Sequence, residues 1–356
     1  MRRCIIHIGL HKTASTSLQR MIGENQAFLN ANGFYVPEIT TEEYRFGHHS
    51  LSFEFSDLRV RRNKAMLYTG LARELKQQGM PEQILLSSED FSRRIHQPVF
   101  LNRLVKWMGH LGYGVNVAAY IRPQHTAIQA MYTQRLKMWG VDLTFEEFWP
   151  TIMAGTNYDY DRRFKRLLES SEIGARLFPF NSEVFAEGIH HHFLRNIGVP
   201  AQRLRELHIP EDRNIAPGPK TIAALMAISD LLKTAGITAK RDDVEWMVRL
   251  IRQMAKVKGW DAERYNALTP EIFAVIEEHY RASNESFAPR AFGRAWADVF
   301  AVELAGVPPV NVFRRENASA AERADFDEFT ESAAEAIIRF RDGGDLFASE
   351  AVSLAS

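Results

Sequence analysis

With 356 residues, of which 46% are hydrophobic, the chain can bury a sizeable core as one large α/β domain or as one domain with a helical extension. Lysine plus arginine and aspartate plus glutamate balance at 44 each, so no net field favours a nucleic acid or a membrane surface, and any anion site has to be built locally. The single cysteine, Cys4, excludes an intramolecular disulfide, and the chain shows neither a signal-peptide apolar region nor a run of about 18 apolar residues, the pattern expected of a soluble cytoplasmic protein with no integral membrane segment.

The first predicted element is a strand, Cys4-Ile5-Ile6-His7-Ile8-Gly9. It breaks into the polar loop His11-Lys12-Thr13-Ala14-Ser15-Thr16-Ser17, after which Leu18, Met21 and Ile22 recur at helical spacing. A helix N-terminus carries unpaired N–H groups and about half a positive charge, so one lysine and four hydroxyls there form a cradle for a phosphate-like anion. Short apolar runs follow at 34–36, 84–86, 115–121 and 176–180, separated by helical patterns that include 71–79 and 102–112. This alternation predicts an α/β fold, a mostly parallel central sheet flanked by helices. After Pro200 the strand signals fade, and residues 219–280 read as helix, with Ile222, Leu225 and Met226, then Met247, Leu250 and Ile251, at amphipathic spacing. A capping box, Ser319 to Glu322, opens a last amphipathic helix through Phe326, Phe329, Ala333 and Ile337, which packs on the body or on a partner. The expected organisation is an α/β core over 1–215, a helical part of the same domain over 216–315, and a helical tail over 316–356.

The string His7-Ile8-Gly9-Leu10-His11-Lys12-Thr13-Ala14-Ser15-Thr16-Ser17-Leu18 resembles the 5′-phosphosulfate loop of sulfotransferases that use PAPS, the 3′-phosphoadenosine sulfate donor. Its Lys-Thr-Ala-Ser-Thr-Ser core is similar to the loop of carbohydrate 2-O-sulfotransferases. The resemblance implies a P-loop NTPase-like sulfotransferase fold, PAPS as co-substrate without a metal, and a hydroxyl acceptor on a carbohydrate or glycolipid. Lys12 then stabilises the bridging oxygen as it becomes a leaving phosphate, with donors from Thr13, Ala14, Ser15, Thr16 and Ser17. In the family an arginine ends a later strand and a serine eight residues on completes a clamp for the 3′-phosphate. Arg122 matches the arginine, although a salt-bridged strand end explains it too, whereas the serine position falls on Ala130, a loss of one hydrogen bond that either Gln129 or Thr126 replaces or that weakens binding.

Three residues compete as the base that takes the acceptor proton. His49, in Phe46-Gly47-His48-His49-Ser50-Leu51, aligns best with the catalytic histidine of the 2-O-sulfotransferases, with His48 beside it. Glu89 follows the strand 84–86 at its carboxyl end, where open α/β sheets bind ligands, although a loop acid or a helix N-cap at Asp90 or Ser92 explains the same residues. Gln134, Arg135 and Lys137 are candidates for an acceptor cleft or for a solvated helix face.

Other signals carry less chemistry. His190-His191-His192 looks like a metal tract, but consecutive helical residues point about 100° apart and cannot chelate one ion together, so the run reads as helix surface. Tyr158-Asp159-Tyr160-Asp161 reads as a capped helix start, and the family has a similar tyrosine there. Asp212-Arg213-Asn214-Ile215-Ala216-Pro217-Gly218 resembles the family's donor-covering loop, with Ala216 in place of a serine, and also fits a plain turn. The rival readings are a P-loop phosphotransferase, weakened because Lys12 follows His11 without the second Walker glycine, and a non-catalytic nucleotide-binding relative, suggested by Ala130 and Ala216.

Overall fold

The computed structural model describes residues 2–10, 12–38, 46–56, 66–139, 142–210, 216–237 and 241–341. Its chain is α/β, with a four-stranded, all-parallel sheet flanked by helices and a helical C-terminal stretch. The strands are β1 (Arg2–Ile8), β2 (Gln83–Ser88), β3 (Tyr113–Ile121) and β4 (Ile173–Pro179), in the spatial order β2-β1-β3-β4. Cys4 to Ile8 and Ile84 to Ser88 are buried throughout. Strands with helices on both faces have no solvent side, which explains why they read as mostly apolar runs without alternation, His7, Ser87 and Ser88 being the buried polar exceptions. The run 34–36 does not add a fifth strand. It contributes one parallel bridge, Tyr35 to Ile84, and its apolar side chains Phe34 and Val36 join the core under the sheet.

The chain divides into two compact units. The first comprises Met1–Ala127, Gly155–Asp212 and Ile276–Gly306 and contains the whole sheet. The second comprises Ile128–Ala154, Arg213–Val275 and Val307–Ser356. Its core is built by the helices Pro219–Thr234, Arg241–Val257 and Ala320–Arg341, through Leu225, Ile228, Met247, Ile251, Phe326, Phe329 and Ile337. The tail helix therefore packs on the chain's own helices, with Phe329 against Trp260 at 4.3 Å between ring centroids. It starts as predicted: Glu322 N–H donates to Ser319 Oγ, and Ser319 N–H donates back to the Glu322 carboxylate. No described helix is long and apolar enough to cross a membrane.

Strand order fixes where a ligand belongs. The chain leaves β1 for β2 on one side and then returns to β3 on the other, so the connections diverge between the carboxyl ends of β1 and β3. In open α/β sheets that divergence opens the binding crevice. The Lys12 loop follows β1, and Arg122 follows β3.

Candidate anion and base site

The loop after β1 is forced into an unusual path. Helix α1 (Ser15–Glu24) starts so close to the strand that a Cβ on Gly9 would lie 2.4 Å from Ser15 Cβ. Glycine is the residue that fits. Lys12 and Ala14 both take left-handed backbone, with φ of 63° and 57°. Such conformations cost about 1 to 2 kcal/mol per non-glycine residue and persist only where the surroundings impose them. Here the surroundings are the Leu10 carbonyl, which accepts from Thr13 Oγ at 2.9 Å and Ser15 Oγ at 3.1 Å, and Arg122, whose Nη1 donates to the Lys12 carbonyl at 2.9 Å.

Two consequences follow for the cradle. The Thr13 and Ser15 hydroxyl protons are spent on the Leu10 carbonyl, as is the Thr13 N–H, so those residues shape the loop. Ala14, the N-cap of α1, offers no side-chain cap, and the first-turn N–H groups of Ser15, Thr16 and Ser17 have no acceptor among the described residues. A positive helix end left without its own anion is suited to receive one. Thr16 is exposed, Ser17 is half-buried with Oγ 2.9 Å from His190 Nε2, and His11 lies outside the described residues.

Arg122 is held on three sides. Its Nε donates to Thr126 Oγ at 3.0 Å, its backbone carbonyl accepts from Tyr160 Oη at 2.7 Å, and its guanidinium sits 5.7 Å from the Phe180 ring centroid. Thr126 thus orients the arginine. Tyr160 begins a helix capped by Asp159, which accepts from Arg162 N–H, so the tyrosine-rich stretch is the capped start that the sequence suggested.

The end of β2 carries the second half of the site, centred on Ser88. Its carbonyl accepts from Gly9 N–H at 3.3 Å, and its hydroxyl accepts from Asp90 N–H at 3.1 Å and lies 3.0 Å from His49 Nδ1. Asp90 Oδ2 lies 3.2 Å from the same nitrogen. A ring nitrogen facing a carboxylate carries its proton, which assigns the lone pair of His49 to Nε2. Burial pushes the Asp90 carboxyl up, but the hydrogen bond from His49 and the charges of Arg93 and Arg94 outweigh it and hold the group below its ordinary value. Asp90 therefore stays ionised and fixes the imidazole, the arrangement a general base requires. Gly47 makes room for it: at φ 112°, a Cβ there would lie 2.9 Å from His49 Nε2.

His48 is committed elsewhere. Its Nδ1 accepts from Ser87 N–H at 3.0 Å and its Nε2 donates to the Pro37 carbonyl at 3.0 Å. Burial lowers its pKa to about 4, so it is a neutral structural histidine with both nitrogens engaged. Glu89 is half-exposed in a short turn and lies beside Gly9, its Cβ 3.4 Å from where a Gly9 Cβ would be. No hydrogen bond or ion pair holds its carboxylate among the described residues. Asp90 and Ser92 do not cap a helix: Ser88 caps the turn, and the next helix opens at Pro98 with Gln97 as N-cap.

Ala130 lies on the helix Gln124–Lys137, half-buried, in the second unit. Gln129 is tied to the Tyr265 and Ala267 backbone, and the exposed Arg135 lies over Phe148 at 5.9 Å. Residues 211–215, with Arg213 and Asn214, lie outside the described residues, and Ala216 is exposed. The histidine run is not plain surface: His190, His191 and His192 are half-buried, with His190 on Ser17 and His192 Nδ1 2.7 Å from Tyr120 Oη. Among the described residues no three His, Cys, Asp or Glu side chains form a metal-ligand set.

Sequence reasoning passed over four residues here: Ser88, Asp90 as the partner of His49, Gly47 and His190. Their roles arise from contacts 39 to 173 residues apart, apart from Gly47, whose place in Gly-His-His two positions before His49 was a local signal. No family model matches this chain, and no curated protein or solved structure matches it.

Proposed function

We propose that this chain is a PAPS-dependent sulfotransferase that moves the sulfuryl group to a hydroxyl of a carbohydrate or glycolipid acceptor by in-line displacement. One observation carries the reading: an uncapped helix N-terminus and a lysine-bearing, strained loop stand at the divergence point of the sheet, one strand away from an oriented His-Asp pair. Backbone N–H groups of Ser15, Thr16 and Ser17, with Lys12, hold the 5′ end of the donor. The Lys12 ammonium offsets charge that grows on the bridging oxygen as the S–O bond breaks, so it binds the transition state more tightly than the ground state. Arg122 serves the 3′-phosphate and, through the Lys12 carbonyl, ties that contact to the loop.

His49 Nε2 accepts the acceptor's hydroxyl proton as the new S–O bond forms, and Asp90 steadies the resulting imidazolium. Glu89, beside Gly9, is the alternative base. No metal enters this scheme. The single cysteine fits a cytoplasmic setting.

Calorimetry with 3′-phosphoadenosine 5′-phosphate against ATP with magnesium tests the proposal. Tight, metal-independent binding of the former is expected. Preference for ATP and magnesium would replace it with a phosphotransferase, and nucleotide binding without sulfate transfer to any acceptor would leave a binding protein.

A further inference from the structure

Ser17 occupies the third position of α1, inside its first turn, and its hydroxyl is paired with a residue 173 positions away, His190. The pairing is held by rigid packing. His190 lies in the first turn of the helix Ile189–Ile197, whose Phe193, Leu194 and Ile197 are fully buried against Leu18, Met21 and Ile22 of α1.

Between Ser17 Oγ and His190 Nε2, at 2.9 Å, either atom can be the donor. Only one polarity suits an anion. If the serine gives its proton to the ring, an anion beside Oγ would meet only its lone pairs and be repelled. If the ring gives Nε2–H to the serine, the hydroxyl proton is released to the anion as a further donor. Resting on the sulfotransferase reading for the ligand's identity, we propose that His190 is a positioning residue: by donating Nε2–H to Ser17 Oγ, it turns the Ser17 hydroxyl into a hydrogen-bond donor for the phosphate-type anion at the start of α1. The histidine does not touch the ligand. Its effect passes through Ser17, so His190 and Ser17 contribute as one unit.

Titration of the full chain with 3′-phosphoadenosine 5′-phosphate and, separately, inorganic pyrophosphate tests this with His190→Ala, His190→Gln, Ser17→Ala and the double variant. A glutamine amide places its N–H near the position of Nε2. We expect His190→Ala to weaken binding about five- to tenfold, His190→Gln to recover to within about twofold of wild type, and the double variant to bind no more weakly than Ser17→Ala. Thermal unfolding identifies any loss that comes from misfolding, and the glutamine variant remains the comparison in that case. Wild-type affinity in His190→Ala, or losses that multiply in the double variant, would overturn the inference and leave the sulfotransferase reading intact. Binding of pyrophosphate but not the nucleotide, with the same coupling, would overturn that reading and keep the His190 role. Binding of neither overturns both.

Discussion

Replacing Asp90 by asparagine keeps the side-chain volume and removes the carboxylate that faces His49 Nδ1 at 3.2 Å. The ring does not lose all support, because Ser88 Oγ remains 3.0 Å from the same nitrogen. What it loses is the fixed tautomer: serine and asparagine can both donate to Nδ1, and a ring that accepts there carries its proton on Nε2, where the base is needed. A positioned general base is worth about 10²- to 10⁴-fold in rate. With one orienting partner retained, Asp90→Asn is expected near the lower end, about a hundredfold loss in kcat. The affinity for 3′-phosphoadenosine 5′-phosphate should be unchanged, because Asp90 is not part of the cradle. The assay is sulfate transfer across pH, with nucleotide affinity measured in parallel. A variant with the wild-type rate and pH profile would refute the role of Asp90, and a loss confined to nucleotide affinity would place it in the wrong half of the site. The same carboxyl, depressed in the folded chain, contributes stability that is present above its unfolded pKa of about 3.9 and lost as pH falls through the lower folded value; the asparagine variant lacks this acid-side dependence.

Lys12→Ala should unfold like the wild type and lose about a hundredfold or more in turnover, the usual cost of about 3 kcal/mol for one preorganised donor; thermal unfolding and rate assays check both parts. Gly47→Ala places a Cβ 2.9 Å from His49 Nε2 at a φ of 112°, so it should lower stability and depress kcat more than nucleotide affinity, as steady-state kinetics would show. His48→Ala strands the buried Ser87 N–H and Pro37 carbonyl and should destabilise by about 1 to 3 kcal/mol in denaturant titrations. His7 and His48 both have folded pKa values lowered by burial to about 4, so the unfolded state binds more protons below about pH 6.5; stability should fall between that pH and about pH 4, by an amount of order 3 kcal/mol for each.

The sheet was readable because a parallel strand covered on both faces is mostly apolar, as Ile84 to Leu86 are throughout and Val115 to Ile121 are apart from Asn116. Phe34 to Val36 has the same composition but forms one bridge, since composition reports burial and not pairing. The cradle was legible for a similar reason: its lysine, hydroxyls and helix start are contiguous in sequence. The His49–Asp90 pair was not, because Asp90 is 41 residues from its partner and looked like a local cap. The histidine run shows both sides of this limit. Its 100° spacing excludes a shared metal, but only the packing of two distant helices shows that His190 meets Ser17 while His192 meets Tyr120.

The most direct measurement is transfer of labelled sulfate from PAPS to a panel of sugars, glycolipids and phenols by the wild type and by Lys12→Ala. The account predicts metal-independent transfer to a hydroxyl of a carbohydrate or glycolipid, slowed about a hundredfold or more in the variant. Transfer at equal rates by both proteins, or no transfer to any acceptor despite tight nucleotide binding, would contradict it.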